Sequence, residues 1–233
     1  MITFDYHIIR KSRSKTASIS VNPDGTVRIL VPSTLSDQKV IELINRKSRW
    51  IRGKLDDFKE IQQNHKQNEY VSGESFTYLG RNYRLKVVPG DISETVKLVN
   101  GRFYVHMPPE TSQDARGKLI VDQLMGWYRE HAIVRLRAKT IRYAKQMGVT
   151  PVSVGLKNYK SQWGSCHTDG KIYYNWKVII APHSIVDYVV VHELCHLVHG
   201  DHSKKFWKLL GTILPDYVER KAWLKVNGSG LNI

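Results

Sequence analysis

The sequence predicts an α+β fold. Three observations carry that prediction. Two alternating apolar stretches around an Asn-Pro-Asp-Gly turn are followed by apolar residues at helical spacing. The same order of elements recurs from residue 79 onward. The last third combines short strand patterns with an apolar helix that holds two histidines and a glutamate.

In the N-terminal part, Ala17, Ile19 and Val21, then Val27, Ile29 and Val31, alternate on either side of Asn22-Pro23-Asp24-Gly25. This is the pattern of two half-buried strands joined by a turn. Pro32 ends the second strand, and Val40, Ile41, Leu43, Ile44, Trp50, Ile51 and Leu55 follow at three- and four-residue spacing, which predicts a helix. Residues 79–88 and 96–105 predict two further strands with Asn100-Gly101 at a turn, and Pro108-Pro109 leads into an amphipathic helix over 113–147. Aligning Pro32 with Pro109 sets Asp37 against Asp114, Trp50 against Trp127 and Arg52 against Arg129. A strand-turn-strand-proline-helix layout therefore occurs twice, and duplication or shared local grammar accounts for it equally well.

From Val149 the pattern changes. Strands are predicted over 152–156 and 171–176, separated by a loop rich in Lys, Ser, Gly and Trp, and Pro182 closes the unit. Ser184 and Asp187 stand at capping-box spacing, so a helix is expected to begin there and to run to His199, where Gly200 can stop it. Residues 206–214 and 216–224, divided by Pro215, predict two shorter helices. The expected division is a β-rich region with one helix over 1–110 and a second domain over 111–233, with one compact unit formed by both as the alternative.

Composition narrows the function classes. An apolar fraction of 41% in 233 residues fits a packed globular chain rather than a disordered one. Only Cys166 and Cys195 are present, so no disulfide framework is expected and a reducing, cytoplasmic setting fits. No stretch has the apolar length of a signal peptide core or a membrane span, which predicts a soluble protein with no membrane partner. The net charge of +15 favours an anionic partner such as a nucleotide or nucleic acid, although the basic residues are spread along the chain as they are on a solvated surface.

The chemistry is concentrated in His192-Glu193-Leu194-Cys195-His196. Four residues on a helix advance about 6 Å on one face, so both imidazoles can converge on one metal ion. Glu193, rotated about 100° from His192, lies beside that face, within reach of a water at the ion. Val186, Val189, Val190, Val191, Leu194 and Leu197 make the helix apolar nearly all round, and burying two histidines and a glutamate there is costly unless something binds them.

A catalytic zinc needs a third protein ligand and an open position. His199 shares the face of His192 but lies about 10 Å further along the axis, and three ligands on one straight helix cannot surround a tetrahedral ion. His202, beyond Gly200, can approach from another direction, and geometry favours it. Tyr173, Tyr174, Tyr188, Asn175 and Tyr217 are the candidate donors to a developing oxyanion. Trp163, Gly164 and Ser165, within Lys160 to Cys166, suit either a cleft wall that contacts substrate or a tight turn on a buried Trp163. Cys166 is expected to pack as a free thiol rather than ligate, and Cys195 to face the core.

Gln162-Trp163-Gly164-Ser165-Cys166, the strand ending near Tyr174-Asn175-Trp176, Asp187 to His196, and His202-Ser203-Lys204-Lys205-Phe206-Trp207 resemble the YgjP-like metal-dependent hydrolases. That family is similar to the SprT-like and WLM groups of zinc metallopeptidases, and the resemblance covers nearly the whole chain. It implies a minimal zincin-like catalytic domain, with a small sheet and an active-site helix, over 111–233. It further implies one zinc ion on His192, His196 and His202, with Glu193 as general base. By the same resemblance the strand over 171–176, with Tyr174 and Asn175, lines the cleft and can pair with an extended peptide.

The leading expectation is thus a zinc metallopeptidase acting on a peptide or protein. A metal-dependent phosphohydrolase of nucleotides and a protease associated with nucleic acid are the alternatives that the basic charge motivates.

Overall fold

The computed structural model describes residues 4–12, 16–22, 24–64 and 68–233, of which 57–64 and 113 by backbone alone. Pro23, within the first expected turn, lies outside the described residues.

Contacts divide the chain into two units, Met1–Gln67 and Asn68–Ile233. The boundary expected between residues 110 and 111 is therefore corrected to lie between Gln67 and Asn68. The physical reason is a shared core: the strands between residues 75 and 107 bury Phe76, Leu85, Phe103 and Val105 together with Ile120, Leu124 and Leu136 of the following long helix.

In the first unit, β1 (Tyr6–Lys11), β2 (Ser18–Val21) and β3 (Val27–Pro32) form a sheet in the order β1-β3-β2, followed by α1 (Asp37–Asn64). β1 runs parallel to β3, and β2 pairs antiparallel with it, from Ser18↔Leu30 to Val21↔Val27. Alternation places Val27, Ile29 and Val31 on one face of β3, and helical spacing places Val40, Ile44 and Ile51 on one face of α1; these six are the buried core of the unit. The turn before β3 closes through Gly25, whose φ of +83° is a conformation that glycine adopts without strain.

The second unit opens with β4 (Ser75–Tyr78), β5 (Arg81–Pro89), β6 (Lys97–Val99) and β7 (Arg102–Met107), ordered β4-β5-β7-β6. β5 is parallel to β7 and β6 antiparallel to it. The arrangement β1-β3-β2 thus recurs as β5-β7-β6, and each is followed by a long helix, so the repeated layout read from the prolines is present in the topology. The tryptophans are not equivalent within it: Trp50 is 47% exposed and Trp127 only 6%.

α2 (Gln113–Met147) has the bounds expected and ends on Gly148 in the left-handed conformation. At 35 residues it is roughly 50 Å long, enough to serve two sheets. Its first half packs Trp127 edge-on against Phe103 and Tyr78, and the Tyr128 hydroxyl donates to the Thr77 carbonyl at 2.8 Å. Its second half contacts a three-stranded sheet of β8 (Ser153–Leu156), β9 (Gly164–Cys166) and β10 (Lys171–Tyr174), ordered β8-β10-β9. A 3-10 turn (Trp176–Ile180), α3 (His183–Cys195), α4 (Lys204–Ile213) and α5 (Tyr217–Asn227) complete the mixed α+β unit. Gly80 joins the β4–β5 turn to this half: a Cβ there would stand 2.8 Å from the Pro182 backbone, and its φ is +76°.

Three local expectations are corrected. The strand expected over 171–176 ends at Tyr174, because Asn175 caps the 3-10 turn by accepting from the Lys177 amide. The capping box at Ser184 and Asp187 is not formed. Asp187 instead pairs with Lys139 (2.6 Å), a partly buried charge, and with the exposed Arg142 (3.3 Å) of α2, which outweighs an exposed cap. Finally, α3 ends at Cys195 rather than His199, since the amides of His196, Leu197 and Val198 turn back on carbonyls three residues before them and tighten the last turn. No helix among the described residues is long and apolar enough to cross a membrane.

Phe103 is fully buried where the aromatic cluster joins β7 to α2. Phe103→Ala is expected to lower the unfolding free energy of the chain by about 3–5 kcal/mol, read from the midpoint of urea denaturation.

Candidate metal centre

α3 is buried on nearly every side: Ile185, Val186, Val189, Val190, Val191, Leu194 and Cys195 are all in the core, as its apolar sequence requires. Cys195 is fully buried, and its thiol is pushed up to about 12 by that burial. One flank alone opens on a cleft of about 490 Å³, where His192, Glu193 and His196 emerge beside Tyr188.

His202 completes a cluster with His192 and His196, in which one ligand nitrogen from each lies within 4.8 Å of the others. The chain reverses after α3, and the Asp201 carboxylate accepts the Ser203 amide at 3.2 Å as α4 begins, which returns His202 to the cleft. Its Nε2 is 3.0 Å from His192 Nε2, and its ring stacks on Trp207 with centroids 5.5 Å apart. His199 is not in the cluster; it contributes its carbonyl, to which His196 Nδ1 is bonded at 3.2 Å.

Burial pushes the pKa of His192 down to about 3, assisted by the neighbouring His196 and His202, and burial likewise lowers that of His196. Both rings are held neutral, the form in which imidazole ligates a metal. The bond to His199 fixes the proton of His196 on Nδ1 and leaves its Nε2 lone pair for an ion, the usual way a supporting group orients a ligating histidine. Two Nε2 atoms face one another at hydrogen-bond distance, and the buried His192 Nδ1 has no partner among the described residues. Three convergent imidazole nitrogens fit a divalent cation.

Glu193 is 5% exposed, and burial raises its carboxyl to about 8. β9 packs closely against it. A Cβ on Gly164 would stand 2.6 Å from Glu193 Oε1 and 2.7 Å from its Cγ, so only glycine lets this strand reach the carboxyl. That is the role of Gly164 in the Trp163-Gly164-Ser165 stretch, and all three residues line the cleft. Trp163 is further fixed by its carbonyl, which accepts the Asn175 amide at 2.9 Å, and by its ring against Gly228. The Ser165 hydroxyl is bonded to Tyr159.

Tyr174 and Asn175 do not line the cleft, which corrects their expected contact with substrate. Tyr174 is fully buried with its hydroxyl 3.0 Å from Thr140 of α2, because the alternation of β10 points it away from β9's open side. Asn175 is consumed internally: its Nδ2 donates to the Tyr159 and Gln162 carbonyls, holding the loop before β9 in place. β10 also cannot pair with a peptide, since β8 and β9 take both its edges. Among the five candidate oxyanion donors, only Tyr188 lines the cleft; burial raises its hydroxyl to about 12, so it remains a proton donor. Tyr173 faces Lys157 and His167, and Tyr217 stacks on Trp207.

Cys166 borders the cleft, but its thiol is pushed up to about 11 by burial and it stands outside the three-histidine group. Leu224 of α5, which completes the apolar side of the cleft, has no sequence signal that sets it apart from other leucines on a helix face.

Neutral imidazoles and a raised carboxyl sharing one cleft define a site suited to metal-dependent hydrolysis. The chain belongs to the YgjP-like family, whose model, described as "YgjP-like, metallopeptidase domain", matches residues 15–227. A metallopeptidase family implies a divalent metal, which the three-histidine group can hold. Comparison with curated proteins gave no significant match. Among solved structures, the metallopeptidase zymogen of Pyrococcus abyssi abylysin is similar, with 19% identity and a TM-score of 0.36 over 39% of this chain and 93% of that one.

Gly164→Ala is expected to leave metal uptake by the histidines unchanged while displacing the Glu193 carboxylate, which elemental analysis and a crystal structure of the variant will show.

Proposed function

We propose that the chain is a zinc-dependent metallopeptidase in which His192, His196 and His202 hold one ion and Glu193 is the general base. The observation that carries this reading is the convergence of three nitrogen donors with a buried carboxyl raised to about 8, all at one cleft.

An ion held by the three imidazoles supplies Lewis-acid polarisation of the substrate carbonyl and acidifies water at the site. Glu193 takes the proton from the attacking water and carries it to the departing amide nitrogen, so that cleavage of the C–N bond is balanced by one water. A carboxyl raised toward neutrality suits both halves of that transfer. The Tyr188 hydroxyl is the donor that the developing oxyanion can use. Gly164 leaves the space that the Glu193 carboxyl occupies.

The substrate reading rests on β9. It is an outer strand of β8-β10-β9 and forms a wall of the cleft, so its free backbone groups can pair with an extended peptide. Strand addition is thus assigned to β9 in place of β10. No lysine or arginine lines the cleft among the described residues, so the charge of +15 is carried elsewhere. An uncharged polypeptide backbone suits such a cleft better than a nucleotide polyphosphate, which would find few cationic partners there.

Purified chain is expected to carry about one equivalent of zinc and to cleave an unfolded protein, with loss of activity on chelation and recovery on zinc addition. Glu193→Gln should retain zinc and lose at least about a hundredfold in kcat, His202→Ala should lose the zinc, and Tyr188→Phe should lower kcat about a hundredfold with KM little changed. Release of phosphate or pyrophosphate from nucleoside triphosphates by zinc-loaded chain, without proteolysis, would overturn the assignment.

A further inference from the structure

The first unit holds a second opening that the hydrolytic chemistry does not use. It is a pocket of about 210 Å³ lined by Ala17 and Ile19 at β2 and by Leu43, Lys47 and Trp50 of α1. Its size is that of one large aliphatic or aromatic side chain. It lies where the edge of the sheet meets the helix, beside the compact core of Val27, Ile29, Val31, Val40, Ile44 and Ile51.

Three features identify what fits it. First, β2 is an outer strand of β1-β3-β2, so one row of its backbone donors and acceptors is unpaired by any other described strand. Such an edge accepts an added strand, and the main-chain bonds select an extended polypeptide over a nucleic acid, which has no matching row. Second, the pocket is apolar but not sealed. Trp50 remains 47% exposed, a large hydrophobic residue left at the surface with an empty space beside it. Third, the helix face that borders the pocket is cationic. Lys39, Arg46, Lys47 and Lys54 recur with Leu43 and Trp50 at three- and four-residue spacing, and the one carboxylate near this face, Glu42, stands at its edge, three residues from Lys39 and four from Arg46. Glu42 is rotated about 100° from Leu43 and about 140° from Lys47, so it neighbours Arg46 and leaves Lys47 clear.

From these we infer that the β2 edge and the Trp50 pocket form a docking site for an extended acidic polypeptide segment. One apolar side chain of the segment enters between Ile19, Leu43 and Trp50. Its neighbours on the other face of the added strand point to solvent, and an acidic residue beside it meets Lys47. Alternation along a strand makes these demands compatible: residues two apart face the helix, and those between do not. The site is independent of the zinc reading, since none of its residues belongs to the cleft around His192.

The test uses full-length chain carrying Glu193→Gln, so that the probe is not cleaved, and fluorescence anisotropy of a labelled extended peptide in which one leucine is flanked by glutamate and threonine. The expected result is saturable binding that weakens about tenfold in Trp50→Ala and in Lys47→Glu, while Ile41→Ala, at an exposed position round the helix, binds as the parent does. On the parent protein, replacing the peptide's leucine by aspartate, its glutamates by lysines, or alternate backbone amides by N-methyl amides should each weaken binding by a similar factor. These peptide variants keep the test valid even if a protein variant folds poorly. No saturable binding up to about 1 mM, affinity unaltered by both the protein and the peptide changes, or a single-stranded oligonucleotide that binds more tightly and displaces the peptide would each overturn the inference.

Discussion

Placing two imidazoles and a carboxyl on a helix that is apolar on almost every side carries a desolvation cost, and the second unit is organised around meeting it. α3 is covered by α2, α4, α5 and the small sheet, and only its Tyr188–His192–His196 flank reaches a cleft. Burial holds His192 neutral at ordinary pH and raises Glu193, so the same constraint that threatens the fold prepares the groups for ligation and proton transfer. A bound cation would become the largest local charge there and offset much of that cost.

The close approach of β9 is the second half of this arrangement. Glu193 can be buried because Gly164 has no side chain, and Gly164 is held at that distance by pairing with Tyr174 of β10 and by the Trp163 carbonyl bonded to the Asn175 amide. Tyr174 and Asn175 therefore serve the site from behind. One anchors β10 to α2 through Thr140, and the other ties down the loop from Tyr159 to Trp163. A substitution in either would act through the position of β9 rather than through contact with substrate.

The three-histidine group was legible in the sequence because helical geometry disfavours His199 as a partner on one straight helix and favours His202, which follows the break that Gly200 permits. α2 was legible as a long helical stretch after Pro108-Pro109, and its expected span of about 113–147 matches the helix. What failed to show was structure made by pairing rather than by pattern. β9 is three residues, Gly-Ser-Cys, with no alternation to read, and it is a strand only because β10 lies beside it. The same holds for β1, whose Ile8 and Ile9 are both exposed, and for the four-residue β4. The unit boundary was misplaced for a related reason: the core that joins β5 and β7 to α2 links residues distant in sequence, and the proline before the helix looked like a border. Asp187 was misread as a cap because its partners, Lys139 and Arg142, lie on another helix.

The proposed function requires one ion seated by three histidines within reach of Glu193. Anomalous diffraction from crystals of the zinc-loaded chain, collected on both sides of the zinc absorption edge, tests it most directly. A single strong peak at about 2.0–2.1 Å from one nitrogen each of His192, His196 and His202, on the side facing Glu193, is the expected result. A peak seated on other side chains, or none at the three histidines, would contradict it.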